Sequence, residues 1–332
     1  EKKYLCKSGG EKMKIAMITG KDNHNSLINP GVSCADPMLP ENIKITEKNF
    51  NQIRSYVKEN PFIENPAGMN MNHVRRVTIA AANPYWSPIL PANYELKVLT
   101  DSRKRTYKGA DGKNYIFYHR KRGCSYYDQY LAYMDADVII FNSAKYRAEL
   151  SIGRKPLTEV DIIDEADEFL DSFFQQEELN LTWFLASLNN IFPSDLKARE
   201  VLERIKKLVG LEEKNKRATG IQEDKVFHAS ETQLKDIFKE LNSSLELEAE
   251  IILDEANYSN KVLESAKSFE SSMDELYLTY KKNEEGNILV KLVSTNLSGK
   301  FNDLLAKTKI LVFMSGTLHS ESIIKNIFGI KD

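Results

Sequence analysis

Four neighbouring residues carry the clearest chemistry in this 332-residue sequence: Asp164-Glu165-Ala166-Asp167. They follow Val160-Asp161-Ile162-Ile163 directly, so the carboxylates sit at the carboxyl end of what reads as a short buried strand. Open parallel sheets bind their ligands at that end. One carboxylate there can hold Mg²⁺ through water while the next polarises an attacking water, as in nucleotide hydrolases. The same tetrad also suits an acidic helix start, because carboxylates favour the positive end of the helix dipole.

A second group lies between 103 and 122, where Arg103, Lys104, Arg105, Lys108, Lys113, Arg120, Lys121 and Arg122 face a single acid, Asp111. Aromatic residues, among them Tyr107, Tyr115, Tyr118, Tyr126 and Tyr127, interleave or adjoin them. Cations that track phosphates and rings that stack on bases make a single-strand path. A solvated hairpin turning at Ala110-Asp111-Gly112 has the same composition. The run from Asp164 to Glu178 is acidic without a base and repels nucleic acid. Cys6, Cys34 and Cys124 are odd in number and form no CxxC pair, against a disulfide framework. The histidines are scattered without metal spacing, so zinc is not expected, and nothing resembles a nucleophile elbow.

The elements that position these groups follow from patterning. Lys14–Thr19 reads as a strand closed by Gly20. Seven of the ten prolines fall between 21 and 90, which predicts a loop-rich segment with one helix near 46–59. From 124 onward, helical spacing over Tyr126–Met134, a strand at Asp137–Phe141, a helix at 143–150 and the strand at Val160–Ile163 predict a parallel α/β sheet buried on both faces. Residues 168–282 read as amphipathic helices, with one proline, Pro193. A hairpin or strand at Ile288–Val290 and a last strand Ile310–Met314 lead into Ser315-Gly316-Thr317-Leu318.

Length predicts two or three packed units. The net charge of −2 gives no global basic character, so a nucleic-acid partner must be met by a local patch. No apolar run approaches the roughly 20 residues of a membrane span, and no signal-peptide core follows Glu1-Lys2-Lys3. The expectation is a soluble intracellular protein of the cytoplasm or the nucleoid or nucleus, without a membrane partner.

Taken in order, several motifs resemble the XPD/DinG family of superfamily 2 DNA helicases, the iron–sulfur helicases. Gly20-Lys21-Asp22-Asn23 resembles its "G-R-x-N-Y-x-C". Cys124-Ser125-Tyr126-Tyr127 resembles "C-P-Y", and Ala136 to Ser143 resembles "A-D-V-I-V-x-N-H". Asp164 to Asp167 resembles "D-E-A-H", Ser315 to Leu318 matches "S-G-T-L", and Ile323–Gly329 fits the segment that follows. The resemblance implies an α/β fold. A partial RecA-like parallel-sheet motor domain (1–20, 125–168 and 286–332) would be interrupted by a loop-rich iron–sulfur-type domain (21–124) and a helical arch domain (169–285). It also implies ATP-driven translocation along single-stranded DNA. Asp164 would act on Mg²⁺, Glu165 on the hydrolytic water, and Asp167 in coupling, where the family usually has His. Ser315, Gly316 and Thr317 would couple the nucleotide site to strand movement. Arg103, Lys104, Arg105, Arg120, Lys121 and Arg122, with Tyr126 and Tyr127, would line the strand path.

The sequence departs from this pattern twice. It contains no G-x-x-x-x-G-K-[ST]: Gly299-Lys300 precedes Phe301 and Gly20-Lys21 precedes Asp22. ATP and Mg²⁺ are therefore expected only in a complete enzyme, with the missing motor region or a complementing chain as partner. A 4Fe–4S centre normally needs four thiolates. The family's four positions are Ser26, Cys34, Asn83 and Cys124 here, which argues against a stable cluster. The loop-rich segment would then rely on its own core, including Tyr85, Trp86 and Tyr94. The alternatives are a non-catalytic single-strand-binding homologue or helicase subunit, and a protein scaffold that uses the helical insertion.

Overall fold

A computed structural model describes residues 6–174, 176–317 and 319–329; Leu318 of the Ser-Gly-Thr-Leu motif lies outside them. The chain is mixed α/β and divides into two compact units, Glu1–Pro156 and Leu157–Asp332. Among the described residues, no helix is long and apolar enough to cross a membrane.

In the first unit, strand β1 (Ile15–Ile18) is followed by the proline-rich stretch, then by β2 (Ile89–Pro91), β3 (Arg103–Lys108), β4 (Asn114–His119) and β5 (Val138–Phe141). β1 pairs with β5 in parallel, Ile15 opposite Val138. Parallel partners need a long crossover, and everything between them serves as one. β2, β4 and β3 form an antiparallel sheet with β4 in the centre. Gly112, at φ 80°, turns the β3–β4 hairpin where Ala110-Asp111-Gly112 predicts it. β4 buries Tyr115, Phe117, Tyr118 and His119, whereas β3 is an edge strand with exposed cations, a common guard against edge-to-edge pairing.

The proline-rich stretch has few ladders to occupy its backbone, so side chains do so instead. Arg76, buried, donates to the carbonyls of Pro40 (2.8 Å) and Ile43 (2.7 Å). Asn42 donates to those of Cys34 (2.7 Å) and Asp36 (2.9 Å), and Asn60 to that of Thr78 (3.0 Å). The helix Phe50–Glu59 lies within the predicted 46–59 and buries Ile53 and Val57 against Ile43, Val74 and Ile79. Those aliphatic residues are the core of this stretch. Of the three aromatics expected there, Trp86 is buried, while Tyr85 and Tyr94 are only partly covered.

After β5 in sequence comes a buried charge cluster. Glu149, on the helix Ser143–Ser151, receives Arg154 through two hydrogen bonds (2.6 and 2.8 Å) and Lys145 at 2.8 Å. Burial alone would raise the Glu149 carboxyl, but Arg154 and Lys145 outweigh it and hold the group down to about 2.

The second unit opens with β6 (Val160–Asp164) and contains β7 (Glu177–Asn180), β8 (Phe227–His228), β9 (Leu276–Lys282), β10 (Ile288–Ser294) and β11 (Ile310–Met314). β11 pairs with β6 in parallel, Ile310 opposite Val160. The expectation of strands buried on both faces is corrected here. β6 and β11 alternate, leaving Val160, Ile162, Ile310, Val312 and Met314 exposed on one face.

A second correction concerns the stretch expected to be helical. It does hold the helix Leu196–Thr219, capped by the Asp195 side chain and burying Ala198, Val201, Leu202, Ile205 and Val209 along one stripe. It also holds strands, which join in an antiparallel sheet of order β7-β10-β9-β8. Leu276, Leu278 and Tyr280 alternate on β9 with Ile288, Val290 and Leu292 on β10, and Gly286 takes the positive φ of the connecting turn. The Tyr280 hydroxyl donates to Glu212 on the long helix at 2.7 Å, fixing sheet to helix.

Replacing Glu149 by Ala leaves Arg154 and Lys145 buried without their counter-charge, which costs about 3–5 kcal/mol. Urea unfolding should show that loss at neutral pH. The folded pKa lies below the ordinary value, so the wild-type contribution is complete above about 4.5 and fades as pH falls toward about 2. A variant as stable as the wild type at pH 7 refutes this account.

Candidate functional site

The strand-end carboxylates and the Ser-Gly-Thr motif meet because β6 and β11 are neighbours in register. Met314 lies opposite Asp164, so both strands release their chains at the same level. Glu165 then takes a left-handed conformation (φ 49°, ψ 52°), the one positive φ outside glycine among the described residues. For a side chain with a Cβ that region costs about 1–2 kcal/mol, and such residues cluster at functional sites. The helix Ala166–Asp171 starts immediately after, with Ala166, Phe169 and Leu170 buried as its anchor.

Asp167 is the link. Ser315 donates from Oγ to its Oδ1 at 2.6 Å, and Thr317 donates from Oγ1 to its Oδ2 at 2.5 Å. The two motifs are 150 residues apart in sequence and share one carboxylate. Those hydrogen bonds, Ser315 first and Thr317 second, hold the Asp167 carboxyl down to about 2. Asp164 accepts from the Glu165 backbone N–H at 3.1 Å, and both side chains stand in solvent. His319 reaches Asp171 at 3.0 Å, a second tie between the same two segments. A Cβ on Gly316 would meet no described atom within 4 Å, so packing does not dictate a glycine there.

Two of the expected iron–sulfur positions meet, and the other two make different contacts. Cys34 and Cys124 are both buried, with their sulfurs 4.0 Å apart. Asn83 donates to the buried carboxylate of Glu41 at 2.8 Å, and Ser26 Oγ accepts from the Asn29 backbone at 3.2 Å. Glu41 Oε2 finds no hydrogen-bond donor among the described residues, and burial raises its carboxyl. Among the described residues, no group of three or more His, Cys, Asp or Glu is arranged to hold a metal ion. Two thiols, an amide already engaged and a buried carboxylate do not fit a four-thiolate cluster. The thiols polarise each other: their mutual hydrogen bond lowers Cys124 to about 7 and raises Cys34. Nothing in the residue pattern signalled Glu41, which follows Pro40 in a loop and becomes notable only through its burial.

The cationic patch is smaller than its composition suggests. Arg120 is removed from it, its side chain only 2% exposed and donating to Asp101 and to the carbonyls of Ala81 and Asn83. Tyr126 and Tyr127 are removed as well, buried within an aromatic cluster with Tyr130. Arg105 is engaged by Asp135 through two bonds of 2.7 Å, and Lys104 by Glu95 at 2.9 Å. Arg103, Lys108, Lys121 and Arg122 stay exposed, with no ion pair to a described carboxylate. Lys121 lies over the Tyr85 ring at 5.0 Å.

No protein-family model and no curated protein matches this sequence. The chain is similar to solved structures described as "XPD_Helicase" (16% identity, TM-score 0.34), "Truncated XPD" (16%, 0.32) and "XPD_APO" (15%, 0.31). The matches cover 62–63% of this chain and 37%, 60% and 41% of those chains respectively, less than two thirds of each.

Carboxyl-detected NMR should titrate Asp167 near 2. Removing both donors (Ser315→Ala with Thr317→Ala) should return it toward the ordinary 3.8. The link is therefore intact from neutral pH down through pH 4 and is lost only as pH nears 2. An Asp167 midpoint that the double variant leaves unmoved contradicts the hydrogen-bonded arrangement.

Proposed function

We propose that this chain supplies the carboxylate side of an ATP-hydrolysing motor of the XPD/DinG helicase type, together with part of its single-stranded DNA path. One observation carries the reading: Asp167 joins the acidic strand end to Ser315 and Thr317. A carboxylate shared in this way lets a change at Glu165 reach the Ser-Gly-Thr segment through the short helix start. In the proposed role Asp164 holds Mg²⁺ and Glu165 orients the attacking water. Mg²⁺ sites of nucleotide hydrolases use one or two carboxylates and complete their shell with phosphates and water, which suits two solvent-facing acids. The sequence has no phosphate-binding loop, so ATP turnover needs a complementing body. The bare apolar face of β6 and β11 supports this, because parallel sheets ordinarily have both faces covered.

DNA contact falls to Arg103, Lys108, Lys121 and Arg122, the cations without a described ion-pair partner. A second reading, a non-catalytic single-strand-binding homologue, draws on the missing loop and on the two-thiol site.

Anisotropy of a labelled single strand against a matching duplex, at two salt concentrations and without nucleotide, should show a salt-sensitive preference for the single strand. Replacing Arg103, Lys121 and Arg122 by Ala should flatten the salt slope by roughly 2 units, given about 0.7 per phosphate contact on single strands. An unchanged slope takes this patch out of the path. Replacing Glu165 by Gln should leave strand binding intact and abolish ATPase only in a reconstituted motor. ATP turnover by the chain alone, lost in that variant, overturns the incomplete-motor reading. A complemented chain that binds strands but never hydrolyses ATP favours the second.

A further inference from the structure

We propose that Cys34 and Cys124 form a reversible redox pair whose disulfide clamps the proline-rich segment to the start of the helix Ser125–Asp128. Three observations place it there. The sulfurs are 4.0 Å apart in a buried contact between residues 90 positions apart in sequence. A disulfide needs about 2.05 Å, a closure of the size a side-chain rotation provides. Both backbones are already fixed. Asn42 and the His24 carbonyl hold the Cys34 peptide at 2.7 Å each, and the Cys124 carbonyl accepts from the Asp128 backbone at 2.8 Å. The thiols therefore meet with little further ordering of the chain.

The neighbourhood favours a neutral product. Glu41 is buried beside the pair, with its Oε2 facing no described donor. Free thiolates would add negative charge next to that carboxylate, whereas a dithiol or a disulfide adds none. Cys6, by contrast, is exposed.

The oxidant is a peroxide, small enough to enter a site where each cysteine is 3% exposed. One thiolate attacks a peroxide oxygen, the O–O bond breaks, and a sulfenic acid and hydroxide form. The second thiol attacks the sulfenic sulfur, the S–S bond forms and water leaves. Two thiols and one hydrogen peroxide thus give one disulfide and two waters. A dithiol reductant reverses the change by thiol–disulfide exchange.

Closing a loop of this length restricts the unfolded chain, so the oxidised protein should melt several degrees higher than the reduced one. The test uses the full chain carrying Cys6→Ser, reduced and then treated with hydrogen peroxide. Titratable thiols should fall from two to none, and non-reducing peptide mapping should join the peptides holding Cys34 and Cys124. Dithiothreitol should restore the thiols and the lower melting temperature. Cys34→Ser and Cys124→Ser should each abolish the shift. Should either variant fail to fold, the peptide map of the wild-type chain decides alone. Two thiols that survive peroxide in the folded protein overturn the proposal. So does linkage through Cys6 in the wild type, or iron and sulfide bound by the chain when isolated without air.

Discussion

Buried polar groups must find partners, and much of this protein is organised by how they do so. Where ladders are scarce, as in the proline-rich stretch, backbone carbonyls are met by Arg76, Asn42, Asn60 and Arg120. Arg76, Asn60 and Arg120 reach carbonyls 18 or more residues away, and Asn42 ties a nearer loop, so side chains do the work that strands would otherwise do. The second unit has regular sheets and long helices, and there buried links tie helix to sheet or helix to helix, such as Tyr280 to Glu212 and Ser187 to Ser259. A buried hydrogen bond is worth about 0.5–1.5 kcal/mol net, but an orphaned partner costs more than that. The loop-rich unit is therefore held by constraints that tolerate little substitution at a few positions.

The same rule explains why composition overstates the exposed cationic patch. Of the cations between 103 and 122, Arg120 is a structural donor and Arg105 is held by a bidentate carboxylate. A guanidinium in such a contact cannot also neutralise a phosphate without giving up bonds it already has. The field at this surface is set by the remaining cations at the edge strand and just beyond β4. It is more local than the sequence count implies.

Elements with strong period and length were legible: the β1 and β5 strands, the helix over 50–59, the long helix from 196, and the hairpin at Gly112. Of the β9–β10 hairpin only the Ile288–Val290 side was read, although Leu276-Tyr277-Leu278-Thr279-Tyr280 alternates strictly and Gly286 marks its turn. A surrounding excess of Leu, Glu and Lys favoured the helical reading, and tertiary pairing overrode it. Of the candidate site, the acidic tetrad and Ser315-Gly316-Thr317 were visible as strand-end motifs. Their meeting through Asp167 needed the register of β6 against β11. Tyr126 and Tyr127 looked like stacking rings because sequence does not say which face an aromatic residue takes in a cluster.

Register is also what gives the acidic strand end its mechanical character. Asp164 and Met314 end their strands at one level, so the next few residues of each segment face a common space. Glu165 is held there in a left-handed backbone conformation, and Asp167, one helical step later, is tied to both hydroxyls of the opposite segment. A backbone relaxation at Glu165 would move the helix start and with it the Asp167 carboxylate. The hydroxyl donors would then have to follow or lose short hydrogen bonds. Two segments joined through one shared acceptor do not shift independently without breaking its hydrogen bonds.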